Sequence, residues 1–165
     1  MFRPLRRVHQ TLSRSETEAI LRAGTSGVLA LSGDDGYPYA VPMSYVYDQD
    51  RLYFHCADAG HKLDAIRRCE KASFCVIGQD QVVPAEFTTY FRSAIAFGRI
   101  RVLEDPAEAR AALTLLSDKY APGDRAGLER ELERFGAHLC LLELRVEHLS
   151  GKAAKELLPP SGIKE

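Results

Sequence analysis

The run from Tyr37 to Tyr47 is rich in β-branched and aromatic residues and reads as a strand, yet it carries Pro38 and Pro42. Proline has no N–H to give to a sheet ladder, so such a strand lies at a sheet edge or carries a bulge. Immediately before it, Gly33-Asp34-Asp35-Gly36 is a tight-turn sequence, and Gly27 to Ser32 ahead of that turn is a short apolar strand. Asp48-Gln49-Asp50 turns the chain again, and Arg51 to Cys56 pairs back. The chain therefore opens as consecutive antiparallel strands.

The rest continues the pattern. Ala72 to Ile77 forms a strand, and Gln79 to Pro84, polar and proline-bearing, reads as a loop. Glu86 to Glu104 is long for one strand, since a mean strand is about six residues; it bends at Arg92-Ser93 or Gly98, or is two strands around a kink. Leu139 to Val146 closes the sheet, and Leu149 to Glu165 trails off as a polar tail.

Four helices are expected. Ser13 to Ala23 carries a capping box, Ser13 with Glu16 or Ser15 with Glu18, and stops at Gly24. A second runs from about His61 to Cys69. Asp105 as N-cap and Pro106 at the first position start a third, which runs to about Tyr120 with Ala109, Leu113 and Leu116 on one face. Pro122-Gly123-Asp124 breaks it, and Arg125 to Phe135 forms the fourth, its Glu129, Glu131, Glu133, Arg130 and Arg134 largely toward solvent. Six or so strands, helices inserted late and no βαβ alternation argue for a mainly β, α+β domain built on an antiparallel six-stranded barrel. There is no G-x-G-x-x-G, no P-loop and no internal repeat.

Composition narrows the partners. The 165 residues fit one domain, with a core from about residue 7 to 150. A net charge of −1, with 27% charged residues, lacks the basic excess of a nucleic-acid binder. No apolar run approaches the ~20 residues that span a bilayer, and no charged-then-apolar leader precedes the fold, so a cytoplasmic protein without a membrane partner is expected. Cys56, Cys69, Cys75 and Cys140 show no C-x-x-C pair and read as structural thiols. His55, Cys56 and His61 match no common zinc spacing, so no metal is expected.

Chemistry concentrates between Tyr53 and Ile66. A strand ends at His55, a small-residue turn follows, and a helix opens at Gly60-His61-Lys62. The first amides of a helix have no intrahelical partners, and the helix dipole adds partial positive charge there. Gly60 lets the backbone approach an anion, Lys62 adds a full charge, and His55 and His61 can donate hydrogen bonds, an arrangement suited to a phosphate. Arg67 and Arg68, about two turns on, read as solvated helix charges. No Ser-His-Asp order and no paired carboxylates support hydrolase chemistry.

The same stretch, with Gly36-Tyr37-Pro38-Tyr39-Ala40-Val41-Pro42-Met43, Phe87-Thr88-Thr89-Tyr90-Phe91-Arg92-Ser93 and Phe97-Gly98-Arg99, resembles the flavin split-barrel proteins of the pyridoxamine-5'-phosphate oxidase-like group. Within that group the chain looks most like the nitroimidazole-resistance (Nim)-related branch, over roughly Arg7 to Lys155. The resemblance implies bound FMN, with deazaflavin F420 or haem as alternatives in the same fold. It implies an oxidoreductase that reduces a small oxidised substrate such as a nitroaromatic, with NAD(P)H as a possible electron donor, or else a non-catalytic flavin-binding module. It places Val41, Pro42, Met43 and Ser44 along the flavin ring, a histidine at His55 or His61 against the flavin or its ligand, and Lys62 at the phosphate. It also implies a homodimer whose sites form at the interface, where Thr88, Thr89, Ser93 and Arg99 could reach the partner's flavin and Arg92 and Arg101 could do the same or pair with carboxylates. The Arg-x-x-Leu-Leu-Lys strand of true pyridoxamine phosphate oxidases is absent, as is the histidine-rich tail of haem-degrading relatives.

Overall fold

The computed structural model describes residues 2–135 and 138–158. Helix α1 (Arg14–Ala23) starts on the expected capping box: the Ser13 side chain accepts from the Glu16 amide, and the Glu16 carboxylate accepts from the Ser13 N–H at 2.8 Å. Strands β1 (Ser26–Ser32) and β2 (Pro38–Ser44) form the hairpin, with Asp35 and Gly36 at positive φ in the turn. Then follow β3 (Val46–Asp48), β4 (Arg51–Cys56) and α2 (His61–Arg68). The long strands β5 (Lys71–Val83) and β6 (Thr88–Val102), helices α3 (Pro106–Tyr120) and α4 (Arg125–Arg134), and β7 (Cys140–Ala153) complete the described chain.

All seven strands join one antiparallel sheet in the order β2-β1-β5-β6-β7-β4-β3. The two edge strands, β2 and β3, are consecutive in sequence and separated only by Tyr45. A sheet whose outer edges are joined by one residue has to curl until those edges meet, while no ladder bonds them. That is a split barrel, with seven strands rather than six because Tyr37 to Tyr47 divides at Tyr45. The edge position of β2 accommodates both prolines.

Two further expectations are corrected, and the alternatives for a third are resolved. Gln79 to Val83 is not a loop: it extends β5 past a bulge between Ile77 and Gln79 and pairs with Thr88 to Arg92, so the β5–β6 hairpin projects beyond the barrel. Leu149 to Ala153 is strand, paired with Arg92 to Ala96; the expected tail from Pro159 to Glu165 lies outside the described residues. Glu86 to Glu104 contains one strand, and it shifts register against β7 at Phe97/Gly98. A Cβ on Gly98 would lie 1.9 Å from the Arg145 carbonyl oxygen, so only glycine permits this approach.

Strand alternation sorts the side chains. Leu29, Leu52, Phe54, Phe74 and Leu144 point inward and are fully buried. Phe54 and Tyr45 each meet Phe74 edge-on, at ring distances of 5.0 and 4.8 Å. A second cluster outside the barrel packs Ala109, Leu113 and Leu116 of α3 on Val46, Leu103 and Leu141. Helix α3 thus roofs β3, β4 and β7 on one side.

Candidate functional site

The residues named from sequence fall in three places. The first is a cleft of about 480 Å³ where α3 and α4 overhang the seam between β2 and β4. Leu52 and Phe54 of β4 point into the barrel, so His55 points out, and it lines this cleft with Ser44. The rest of the lining is Leu113, Leu116, Leu128 and Tyr120, with Ser117, Asp124, Arg130 and Glu131 at its polar margin. Arg130 remains exposed, as expected, while bordering the cleft, and Glu131 is part-buried against it. An apolar slot with a few convergent polar groups is the usual make-up of a small-molecule site.

Tyr120 builds that cleft. Its hydroxyl accepts from the Tyr45 N–H at 2.9 Å and lies 2.8 Å from the Tyr45 carbonyl, to which it can donate. Lys119 beside it donates to the Gly24 carbonyl at 2.5 Å and sits 4.3 Å over the Tyr45 ring. Burial lowers the Lys119 pKa from its ordinary value. The C-terminal end of α3 is thereby fixed to the single residue joining the two barrel edges. Leu113, Leu116 and Tyr120 form a legible helical stripe, but nothing local says which barrel face it covers.

The second place is the start of α2. Helices α1, α3 and α4 are capped by Ser13, Asp105 and Asp124, whereas no side chain caps α2. The Leu63 and Asp64 amides bond to the Gly60 carbonyl, at 2.9 and 3.2 Å. The amides of His61 and Lys62 have no partner among the described residues. Gly60 has φ +119°, which disfavours any other residue, and a Cβ there would meet nothing within 4 Å. The open space, free amides and adjacent lysine fit the phosphate of a flavin nucleotide. His61 anchors this start: its ring stacks on Tyr39 at 4.1 Å, and Nε2 is 3.3 Å from Asp34. Arg68 also pairs with Asp34 and Arg67 with Asp64, but Lys62 enters no ion pair among the described residues. Arg68 holds the Asp34 carboxyl below the usual range, with a smaller contribution from His61.

Strand β2 connects these two places. Pro42 and Ser44 face outward, whereas Val41 and Met43 turn their side chains into the barrel core. Of the four residues expected along the ring, two therefore offer side chains outside and two offer only backbone there.

The third place is β6, and it is not local. Thr88 and Arg99 stand roughly 36 Å apart on one strand at about 3.3 Å per residue. Thr88 and Thr89 lie near the hairpin tip, beside the fully exposed Phe87. Arg99 pairs with Glu70 and, at 2.8 Å, with Glu147, while Arg101 bridges Glu143 and Glu108. The Arg92 guanidinium donates to the Leu157 carbonyl at 3.4 Å. Ser93 faces outward between Ile77 and Lys152. This outer face has an apolar row: Pro42, Val28, Cys75 and Ile95 lie side by side across β2, β1, β5 and β6. Val28 is 41% and Ile77 67% exposed.

Residues 13–153 match the family model described as pyridoxamine 5'-phosphate oxidase. The chain belongs to the pyridoxamine 5'-phosphate oxidase family. A family relative in sequence is the uncharacterized protein RA0666 of Rhizobium meliloti, 29% identical over 88% of this chain and 95% of that one. Among solved structures, the FAD and haem binding protein of Mycobacterium smegmatis is 27% identical, with a TM-score of 0.74 over 93% of this chain and 77% of that one. A protein of Bacteroides thetaiotaomicron described as a candidate 5-nitroimidazole antibiotic resistance protein is 21% identical, with a TM-score of 0.74 over 87% and 86% of the two chains. This last likeness bears on the fold alone. Among the described residues, no helix is long and apolar enough to cross a membrane.

Proposed function

We propose that this member of the family is an FMN-dependent oxidoreductase that works as a homodimer and reduces a small oxidised substrate of the nitroaromatic class, with electrons from a nicotinamide cofactor. The observation that carries the reading is the uncapped start of α2, with Gly60 open and Lys62 in no ion pair among the described residues, joined by an edge strand to an apolar cleft. In this reading the amides of His61 and Lys62 and the Lys62 ammonium hold the phosphate. Pro42, which has no N–H, and Ser44 border the ring on the outer face of β2. His55 donates a hydrogen bond at the cleft, and Leu113, Leu116 and Leu128 exclude water from it. The bound flavin supplies the two-electron chemistry; the protein supplies position and electrostatics. The bare apolar face around Val28 and Ile77 meets its copy, which brings Ser93 and the β6 hairpin to the partner's site.

Haem is a second reading, favoured by the M. smegmatis protein, which is described as binding FAD and haem. An absorption spectrum of the purified protein, with mass identification of what heat releases, separates the two. Paired flavin bands and released FMN support the proposal. A Soret band without flavin overturns it.

A further inference from the structure

Cys56 and Cys140 are distant in sequence, and nothing in their spacing connects them. The fold makes them direct partners on adjacent antiparallel strands, β4 and β7, so their side chains share one face of the sheet. Opposite residues in an antiparallel pair have Cα atoms about 4.5 or 5.5 Å apart, and both spacings fall in the range a disulfide spans. Cys56 is half-buried and ends β4; Cys140 is buried and begins β7. We propose that Cys56 and Cys140 form a reversible dithiol–disulfide couple, in which Cys56 attacks the oxidant first and Cys140 closes the bond.

The surroundings divide the labour between the two sulfurs. The Cys140 thiol opposite it and the nearby Lys62 charge outweigh burial and lower the Cys56 pKa from its ordinary value. The facing Cys56 pushes Cys140 up, as do burial and the charge of Asp58, with Arg67 opposing. Cys56 is thus the accessible thiolate and Cys140 keeps its proton. Cys75, by contrast, is pushed up by burial alone. With a small-molecule disulfide as oxidant, the Cys56 thiolate attacks one sulfur and releases one thiol, leaving a mixed disulfide. Capping Cys56 removes the negative charge that held the Cys140 proton. Cys140 then loses that proton, attacks the Cys56 sulfur and releases the second thiol. Two protein thiols give up two electrons and two protons, and the oxidant becomes two thiols.

The test uses the full chain and a Cys69→Ser/Cys75→Ser variant, with oxidised glutathione as the probe. Peptide mapping is expected to find a Cys56–Cys140 disulfide in both, reversed by dithiothreitol. Iodoacetamide labelling of Cys56 in the reduced variant should rise at a lower pH than that of an unperturbed thiol. In Cys140→Ser, the same oxidant should stop at a stable mixed disulfide on Cys56. The proposal is overturned by Cys56 and Cys140 remaining reduced, by disulfides to Cys69 or Cys75 instead, or by a labelling midpoint no lower than that of an unperturbed thiol, about 8.5.

Discussion

Removing one oxygen atom, in Tyr120→Phe, tests how the cleft is held together. Tyr45 is fully buried, so its N–H cannot turn to water once the Tyr120 hydroxyl, which also reaches the Tyr45 and Thr25 carbonyls, is gone. A buried polar group stripped of its partner costs about 1–3 kcal/mol, and the phenylalanine ring keeps the packing. An expected loss of about 2 kcal/mol corresponds to roughly 4–8 °C in Tm for a domain of this size. The control is Tyr47→Phe, whose hydroxyl bonds at 3.0 Å to the half-exposed Asp50 carboxylate; that group remains solvated, so the loss should stay near 0.5 kcal/mol. Thermal denaturation of both variants at one protein concentration decides. A Tyr120→Phe melting point within about 1 °C of wild type would refute the idea that α3 latches the barrel seam.

Other consequences can be checked alongside. His55→Ala should leave Tm nearly unchanged, because His55 is exposed while Leu52 and Phe54 anchor its strand, yet it should alter the bound flavin's spectrum or reduction rate; the reverse pattern would take His55 out of the site. Light scattering should give twice 18.4 kDa for the wild type and 18.4 kDa for Val28→Lys, and a monomeric wild type would contradict the dimer.

What the sequence discloses depends on whether the signal is local. Helix α3 was legible to the residue because Asp105 and Pro106 mark its start and Ala109, Leu113 and Leu116 its buried face. The prolines of β2 limited it to an edge or a bulge, since a missing donor is a property of the residue itself, and the topology chose the edge. Gln79 to Val83 was not legible as strand: the projecting hairpin is largely exposed, so no alternation marks it, and its pairing partner lies beyond a turn. Leu149 to Ala153 hid for a related reason. Its Ser150-Gly151-Lys152 looks like a tail, and pairing with β6 is what orders it. In the site, Gly60-His61-Lys62 could be read because a helix start is local, whereas the roof of α3 over His55 and the Cys56–Cys140 pairing are products of topology.

The central claim is that the start of α2 holds the phosphate of a flavin, and titration of the apo-protein with FMN, followed by flavin fluorescence, tests it most directly. Lys62 has no acidic partner among the described residues, so Lys62→Ala should remove a charge-assisted contact, about 1.5–3 kcal/mol or roughly 10- to 150-fold in affinity. Arg67 is 61% exposed and already pairs with Asp64, so Arg67→Ala should change affinity by less than about fivefold. Equal losses in the two variants, or wild-type affinity in Lys62→Ala, would place the phosphate elsewhere.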